Sequence, residues 1–322
     1  MSVLELDGLH VWFAAPDGSF AHAVRGVDMR IDAGERVGIL GESGCGKTTL
    51  ILAAMGLLPS FASVGGRVTL DGYEVLAKGE TSAREVRWTQ AAMVFQGAMN
   101  ALNPVRRVGV QIADPMIFHR QRGRREARER TLEVLELVGL PASVARRYPH
   151  ELSGGMRQRA VIAMAIACEP RVLFADEPTT ALDVVVQAQI GDLLCELAER
   201  LGLALVMVTH DIGMIAESSA RAVVMYAGVV VEDGPTYEVL TSPRHPYTRL
   251  LLEATPVVNR DRPLVSIPGV PPRLDEPIEG CAFAARCPER FEACSVRPPL
   301  LGHGYGHGHV VACHAVMQEA AS

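Results

Sequence analysis

The stretch Gly41-Glu42-Ser43-Gly44-Cys45-Gly46-Lys47-Thr48 decides the fold of this chain. It matches G-x-x-x-x-G-K-[ST], the phosphate-binding loop, in which glycines let the backbone form a cradle of N–H donors around phosphate oxygens. A strand-like run at residues 37–40 precedes the loop, and an apolar, helix-like run at residues 50–58 follows it. Because a helix directs its positive end at an anion placed there, this context predicts a phosphate site.

Lys47 and Thr48 carry the chemistry of the predicted loop, where the lysine neutralises the β and γ phosphates and the threonine binds Mg²⁺. The chain has 31 basic residues, of which only Lys47 and Lys78 are lysines. A lysine at the one place that needs a compact ammonium is therefore informative. A purely structural Gly-rich turn is the alternative. Thr49 completes the predicted nucleotide-binding set.

Length, charge and hydropathy exclude several classes of protein. A chain of 322 residues that is 48% hydrophobic can form one large core plus a smaller module, or two domains. A net charge of −6 without a long basic tract does not favour nucleic-acid binding. The longest apolar runs, such as residues 222–231, are far shorter than the roughly 20 residues that span a bilayer, and residues 1–5 do not begin a signal peptide. We expect a cytoplasmic chain, or one peripheral to a membrane.

The segment before the phosphate loop is predicted to form an antiparallel sheet. Strand-like residues 3–6 and 24–31 flank a turn at residues 16–18, and another strand and turn follow at residues 66–72. Aromatic side chains here are candidates to stack on a nucleotide base. Phe13 is the first choice and Phe20 the second, and the alternative is simple aromatic packing.

Residues 112 to about 149 show a helical pattern, which predicts an all-helical insert. Its arginine-rich run at residues 120–130 is typical of a solvated helix face with Glu–Arg pairs, and Gly139 is expected to end a helix over residues 131–138. After the insert, Ser153 is placed to cap a helix whose first turn contains Gly154 and Gly155. Free N–H groups in such a turn form a second anion site.

Polar residues follow several predicted strands. Asp176 and Glu177 end a buried strand that starts at residue 172, His210 follows the strand at residues 203–208, and Gln96 ends another strand. Asp183 opens the helical stretch at residues 186–201. Since strand side chains alternate, Asp176 and Glu177 are predicted to point to different sides. Strands alternating with helices predict an α/β fold, with a parallel sheet and a site along its carboxyl edge.

These motifs, taken together, resemble the ATP-binding subunit of an ABC transporter over about residues 3–250. GESGCGKT, Gln96, LSGGMRQR, VLFADE, ALD and THD occur in the order of that family. LSGGMRQR at residues 152–159 is the specific feature, because it is the hallmark of the family among P-loop proteins. Two departures are minor: Thr180 stands where serine is commoner, and Gly97 stands where aspartate is frequent.

The resemblance implies a P-loop NTPase of ABC type, with an antiparallel β subdomain, a mixed or parallel core sheet and a helical subdomain. It places the ATPase domain at residues 1–240 and the helical subdomain at about residues 97–168. Asp176 is then the carboxylate that binds Mg²⁺ together with Thr48, and Glu177 is the general base for the attacking water. His210 positions the γ-phosphate, and Gln96 senses Mg²⁺ and the water. Such roles fit phosphoryl transfer, which depends on positioning and charge neutralisation.

In this family the signature sequence binds the ATP held by the opposite subunit. The residues concerned are Ser153, Gly154, Gly155 and Gln158, with Asp183 in the D-loop. A complete site therefore needs two chains, and the chain should not be a competent monomer. The implied partners are a second ABC ATPase subunit (a paralogue or a copy), two membrane permease subunits and an extracytoplasmic solute-binding protein, but no nucleic acid. The implied location is the cytoplasmic face of the membrane.

Residues 241–322 are rich in proline and form a predicted loop-rich module. Residues 245–251 and 267–269 and the cysteines Cys281, Cys287, Cys294 and Cys313 resemble the C-terminal region of importers of the dipeptide/oligopeptide subfamily, which includes nickel importers. That resemblance implies a [4Fe–4S] cluster. The spacing C-x5-C-x6-C-x18-C lacks paired C-x2-C knuckles, so spacing alone leaves zinc, or no metal, open. His303, His307 and His309 lie among glycines and are expected to form a flexible loop rather than a metal site.

The predicted function is ATP hydrolysis at the interface of an ATPase dimer, which powers peptide import. Import of nickel or another small solute by the same subfamily is the alternative. A non-transport ABC protein is disfavoured, because the chain lacks both a long coiled-coil insert and a second cassette. A regulatory protein with an inactive ATP site is disfavoured as well, because Lys47, Asp176, Glu177 and His210 are intact. Residues alone do not name the transported solute.

Overall fold

The structure is a computed structural model that describes residues 1–15, 18–77, 79–97, 101–180, 182–255, 266–301 and 308–320. The strands are β1 (Ser2–Ala14), β2 (Phe20–Asp32), β3 (Arg36–Leu40), β4 (Ala62–Leu70), β5 (Tyr73–Glu74), β6 (Ala91–Val94), β7 (Val172–Asp176), β8 (Ala204–Val208), β9 (Arg221–Tyr226), β10 (Val229–Pro235) and β11 (Val310–Val311). The helices are α1 (Lys47–Ala54), α2 (Glu80–Val86), α3 (Val108–His119), α4 (Arg124–Leu137), α5 (Gly154–Ile166), α6 (Val184–Leu201), α7 (Ile212–Ser218), α8 (Thr236–Thr241), α9 (Pro246–Ala254) and α10 (His314–Ala320).

The chain divides into two compact units. Unit 1 comprises Met1–Leu4, Ile31–Arg36 and Thr69–Thr209, and unit 2 comprises Glu5–Arg30, Val37–Val68 and His210–Ser322. Each unit is discontinuous in sequence. Within the described ranges, no helix combines the length and the hydropathy needed to cross a membrane.

Unit 1 contains a parallel sheet formed by β6, β7 and β8. Met93 pairs with Phe174, and Phe174 in turn pairs with Val206. All residues of the three strands are buried, as expected for a parallel sheet covered on both faces. The prediction of a parallel sheet is confirmed. Because the strands run the same way, the polar residues that follow β6 and β7 lie at one edge.

The helices α3, α4 and α5 of unit 1 pack on one another, which confirms the predicted all-helical insert. Helix α4 buries Ala127, Thr131, Val134 and Leu135, and arginines in this helix and just before it pair with exposed glutamates. Arg122 lies 3.5 Å from Glu126, and Arg130 lies 3.0 Å from Glu133. The arginine-rich run is thus a solvated face with Glu–Arg pairs, as predicted.

Unit 2 contains the hairpin of β9 and β10, with β3 parallel to β9 and β11 antiparallel to β10. The apolar run at residues 222–231 forms most of this hairpin, and its tight turn places Ala227 and Gly228 at positive φ. Arg221 and Asp233 form a buried ion pair across the hairpin, with 2.7 Å between Nε and Oδ1. The valine-rich strands are buried on both faces, and this burial explains the high hydropathy of the run. The run is nevertheless too short to span a membrane.

Strands β2, β1 and β4 form the predicted antiparallel sheet in that order, and β5 pairs with the end of β4. Both β1 and β2 have 13 residues, so they are longer than the runs at residues 3–6 and 24–31 that the sequence indicated. The added parts of the two strands contain three aromatic rings that stack on one another. The ring centroids of His10, Trp12 and His22 are 4.7–5.2 Å apart. Residues 16 and 17 of the predicted turn lie outside the described residues.

The C-terminal part of unit 2 is loop-rich, as predicted, yet it has an apolar anchor. Phe283 is 1% exposed and its ring centroid lies 5.2 Å from that of Tyr226 and 5.4 Å from that of Tyr247. Cys294, Val310 and Val311 are also buried. The residues around Phe283 therefore bury apolar surface, although the segment consists mostly of loops.

Candidate nucleotide site

The phosphate loop follows β3 and leads into α1, within unit 2. Gly41 has φ +148°, and a Cβ atom there would lie 2.2 Å from the Met225 carbonyl oxygen. Gly46 has φ +107°, and a Cβ atom there would lie 2.4 Å from the Ala23 carbonyl oxygen. Any side chain at either position would overlap backbone atoms. The two outer glycines of the motif are thus required by conformation and by close packing.

The side chain of Lys47 lies along the loop that precedes it. Its Nζ donates to the carbonyl oxygens of Gly41, at 2.8 Å, and Glu42, at 2.9 Å. Ser43, Gly44 and Thr48 are exposed, and Thr49 is half-buried. The ammonium and the start of α1 therefore face an accessible loop of the kind that binds phosphate.

Cys45 and Glu42 of the loop are engaged inside unit 2. Cys45 is 4% exposed, and burial raises the pKa of its thiol. A protonated, buried thiol is not a nucleophile, so Cys45 fills space in the loop. Glu42 has its backbone N–H 2.8 Å from the Tyr247 hydroxyl, to which it donates, and its carboxylate accepts from Arg286.

The second group of candidate residues lies at the carboxyl edge of the sheet in unit 1. Asp176 ends β7 and is 2% exposed. Glu177 follows the strand with φ +44°, and its N–H donates to the Val208 carbonyl oxygen at 2.8 Å. The two carboxylates thus have different settings. The strand ends at Asp176, however, so the left-handed backbone at Glu177, rather than strand alternation, sets its direction.

Gln96 and Thr180 both hold the Glu177 carboxylate. The Gln96 amide Nε2 donates to Glu177 Oε2 at 2.9 Å, and the Thr180 hydroxyl donates to the same oxygen at 3.1 Å. The sequence singled out Gln96 but treated Thr180 only as a departure from the usual serine. The sequence does place a hydroxyl three residues after the carboxylate of Glu177. Because both serine and threonine hydroxyls form hydrogen bonds within tight turns, this spacing could have indicated the contact.

The signature residues begin α5 in unit 1. Ser153 is exposed, and its Oγ accepts from the Met156 N–H at 3.3 Å, which confirms the predicted cap. Gly154 follows as the first residue of the helix. A Cβ atom at Gly155 would lie 3.0 Å from Val186 Cγ1, so Gly155 lets α5 approach α6 closely. Gln158 is 2% exposed and donates to the Pro178 carbonyl oxygen at 2.6 Å, which ties the helix to the turn after Glu177.

The remaining predicted residues have the following positions. Asp183 caps α6, because its Oδ1 accepts from the Val186 N–H at 3.0 Å. His210 follows β8 and is exposed. Phe13 is half-buried near the end of β1, with its ring centroid 5.9 Å from that of Phe61, whereas Phe20 is 55% exposed at the start of β2. Of the two aromatic candidates, Phe20 is therefore the more accessible.

The four C-terminal cysteines are free thiols. Cys281 donates its N–H to the Cys294 carbonyl oxygen at 3.0 Å. Burial raises the pKa of Cys281, and it raises the pKa of Cys287 to about 11. Among the described residues, no group of three or more His, Cys, Asp or Glu side chains is arranged to hold a metal ion. Thiols are the donors that an iron–sulfur cluster takes, but in this conformation the described residues do not bring them together into a preformed site.

His309 is held in place, whereas the sequence predicted that it would lie in a flexible loop. Its side chain is 9% exposed, and its Nε2 lies 2.6 Å from Glu232 Oε1 on β10. The expectation is wrong for His309, because β11 begins directly after it and fixes it beside β10. His303 and His307 lie outside the described residues.

Comparison with protein families gives two matches along the chain. The ABC transporter family matches residues 24–180, and the family described as oligopeptide/dipeptide transporter, C-terminal region, matches residues 231–294. The first range contains the phosphate loop and the signature. The second contains Cys281, Cys287 and Cys294.

Similar proteins extend these matches over most of the chain. The oligopeptide transport ATP-binding protein OppD of Salmonella typhimurium is 42% identical over 320 residues, which cover 98% of this chain and 95% of OppD. The dipeptide transport ATP-binding protein DppD of Bacillus subtilis is 42% identical over 297 residues, which cover 91% and 88% of the two chains. Among solved structures, a dimeric ATP-binding cassette bound to ADP and phosphate superposes with a TM-score of 0.64 at 30% identity, over 72% of this chain and 98% of that cassette. This chain belongs to the ABC transporter family of ATP-binding proteins, in the group that carries the oligopeptide/dipeptide transporter C-terminal region.

Proposed function

We propose that this chain is the ATP-hydrolysing subunit of a membrane importer that takes up peptides. One observation carries the proposal: the phosphate loop and the signature helix occur in the same chain as the C-terminal region of oligopeptide/dipeptide transporters. The names of OppD and DppD support peptides as the solute class. The chain acts at the cytoplasmic face of the membrane, as a peripheral subunit.

The proposed roles divide along the two parts of the site. Gly41–Thr49 bind the phosphates of ATP, with Lys47 as the cation, and Phe13 or Phe20 stacks on the base. Thr48, Asp176 and Gln96 supply oxygen ligands of the kind that Mg²⁺ prefers. The metal, when bound, neutralises phosphate charge. Glu177 accepts a proton from the attacking water, and His210 donates a hydrogen bond to the γ-phosphate.

The position of Glu177 supports its proposed role as base. Two donors, Gln96 and Thr180, hold one carboxylate oxygen, Oε2. Orientation by fixed hydrogen bonds lowers the cost of reaching the reactive geometry. Buried Asp176, by contrast, has the setting of a fixed metal-binding carboxylate.

Two copies of the site require a dimer of ATPase subunits. Ser153, Gly154 and Gly155 act on the ATP of the second subunit, and Asp183 contributes the D-loop. Gln158 anchors the signature helix to Pro178. The further partners are two permease subunits and an extracytoplasmic binding protein. We place the ATPase domain at residues 1–240, its helical subdomain at about residues 97–168 and the C-terminal region at residues 241–322. Helices α3, α4 and α5 lie within residues 97–168, and the match to the C-terminal family begins at residue 231, close to the proposed boundary.

The test is transport by the assembled complex. The complex is purified from membranes, its subunits are identified, and it is reconstituted in liposomes with its binding protein. We expect uptake of labelled di- or oligopeptides only with ATP on the side of this subunit. Uptake of Ni²⁺ but not of peptides would instead favour the nickel alternative, and ATPase activity without any permease partner would favour a non-transport protein.

We further propose that Cys281, Cys287, Cys294 and Cys313 bind a [4Fe–4S] cluster that braces the C-terminal region and takes no part in hydrolysis. The support is the donor set, in which all four thiols are free. Since the described residues hold no preformed metal group, the loops that carry the thiols have to rearrange on binding. Binding also requires the thiols to lose their protons, and the raised pKa values of Cys281 and Cys287 oppose that loss until the metal is present.

Metal content tests this proposal directly. Protein purified without oxygen should contain about four iron and four sulfide per chain, and Cys287→Ser should lose most of both. Cys195→Ser is the control, because Cys195 lies on α6, away from the cluster sequence, and it should keep the metal. Zinc in place of iron, or no metal in the wild-type protein, would show the proposal to be wrong.

A further inference from the structure

The phosphate loop is held from outside by the C-terminal part of unit 2. Arg286 Nη1 donates to Glu42 Oε2 at 2.7 Å, and Nη2 donates to Glu42 Oε1 at 3.1 Å. The two residues are 244 positions apart in sequence. The Arg286 side chain is 4% exposed, whereas that of Glu42 is 24% exposed. A bidentate pair of this kind combines charge with a fixed orientation.

The guanidinium of Arg286 is fixed on its other sides as well. Nε donates to the Pro268 carbonyl oxygen at 2.8 Å, Nη1 also reaches the Tyr226 hydroxyl at 3.3 Å, and Nη2 reaches the Ile267 carbonyl oxygen at 3.4 Å. Its carbon Cζ lies 5.7 Å from the centroid of the Tyr226 ring. All N–H donors of the planar fork have an acceptor, so a lysine could not make the same contacts.

The backbone of Glu42 has its own partner in the same region. Its N–H donates to the Tyr247 hydroxyl at 2.8 Å, and Tyr247 is fully buried on α9. The Tyr247 ring lies against Tyr226 and Phe283, with centroids 4.6 and 5.4 Å away. Side chain and backbone of this one loop residue are therefore anchored to the same aromatic cluster.

Glu42 also holds the cation of the site. Its carbonyl oxygen accepts from Lys47 Nζ at 2.9 Å, next to the Gly41 carbonyl oxygen. A chain of contacts thus runs from Arg286 to Glu42 and from Glu42 to Lys47. Movement of Arg286 would therefore change the conformation of the first residues of the phosphate loop and the position of the Lys47 ammonium.

We propose that Arg286 and Tyr247 are positioning residues for the nucleotide site, which act through Glu42 and make the C-terminal region part of the ATP-binding apparatus. This inference rests on the proposed binding of ATP at Lys47. If Arg286 and Tyr247 had a purely structural role, they would only attach the C-terminal region to the phosphate loop. The positioning role predicts in addition that ATP and the loop at residues 281–287 stabilise each other, since coupling between two sites is reciprocal.

The experiment measures Mg–ATP affinity of the full-length chain by titration calorimetry. Arg286→Met and Glu42→Gln should each weaken binding about tenfold. The double variant should be no weaker than either single one, because both changes break the same contact. Arg286→Lys should recover part of the affinity. Arg273→Met is the matched control: Arg273 makes a bidentate pair with exposed Asp275 in the same region, and its loss should leave affinity unchanged.

Amide hydrogen exchange distinguishes the two roles, because a purely structural attachment would not make exchange in the C-terminal region depend on ATP. ATP should slow amide exchange at residues 281–287 of the wild-type chain but not of Arg286→Met. If Arg286→Met does not fold, Tyr247→Phe removes only the oxygen that accepts from Glu42, and it should lower affinity severalfold. Wild-type affinity in these variants, or additive losses in the double variant, would overturn the inference alone. Failure of the wild-type chain to bind ATP would overturn the proposed function instead.

Discussion

Glu177→Gln should lower ATP turnover of the assembled transporter by about 10²–10⁴-fold while ATP binding is retained. The amide has the shape of the carboxylate but cannot accept a proton from water. Thr180 can still donate to the amide oxygen, so the turn after β7 should keep its conformation. Bound ATP that is not hydrolysed should trap the two ATPase subunits in a closed dimer, which size-exclusion chromatography with ATP would detect.

Glu169→Gln is the matched control for this change. Glu169 also lies in unit 1 at positive φ, with φ +54°, but it pairs with Arg122 and Arg130 at the end of the helical insert. Its variant should hydrolyse ATP at close to the wild-type rate. Near wild-type turnover by Glu177→Gln in the assembled complex would mean that another group is the base.

Ser153→Arg should lower turnover at the site that this residue completes by about 10²–10³-fold, the effect of losing donors aimed at phosphate charge. Ser153 is the exposed cap of α5, and its replacement puts a long side chain over the glycines that follow. The isolated chain should still bind ATP, because its own phosphate loop lies in unit 2 and does not contain Ser153. Turnover by the complex and ATP binding by the isolated chain are the two measurements.

Gly123→Arg controls for the introduced arginine. Gly123 is the N-cap of α4, at φ −63°, and no atom lies within 4 Å of a Cβ built there. That variant should keep wild-type turnover. In a transporter with two copies of this chain, Ser153→Arg removes both sites, whereas with a paralogue it removes one. Loss of ATP binding by the isolated Ser153→Arg chain would contradict a site shared between subunits.

Local patterns predicted most elements, because each depends on neighbours in sequence. The glycines at positions 41 and 46, the buried strand at residues 172–176 and the cap at Ser153 all follow from backbone geometry or short-range hydrogen bonds. Local patterns do not determine the residue at which each element begins or ends. Helix α1 begins at Lys47 rather than at residue 50, because the phosphate loop itself supplies the first turn.

The candidate site was predicted as a set of residues, but their contacts were not. Nothing in periodicity indicates that Gln96 and Thr180 bind the same oxygen of Glu177, or that Gln158 is buried against Pro178. These bonds depend on the turn at Glu177, whose positive φ is unusual for a glutamate. His309 was misjudged for the same reason, since its partner Glu232 is 77 residues away in sequence.

The sequence alone determined the family, the nucleotide chemistry and the need for a partner chain. The reason is that the residues and spacing of each motif indicate which ligand its loop or helix end binds. Only the tertiary structure decided how the C-terminal region meets the phosphate loop. Arg286 and Tyr247 reach Glu42 through the aromatic cluster of Tyr226 and Phe283. Such pairing depends on packing between segments that are more than 200 residues apart, and no local propensity or charge pattern specifies it.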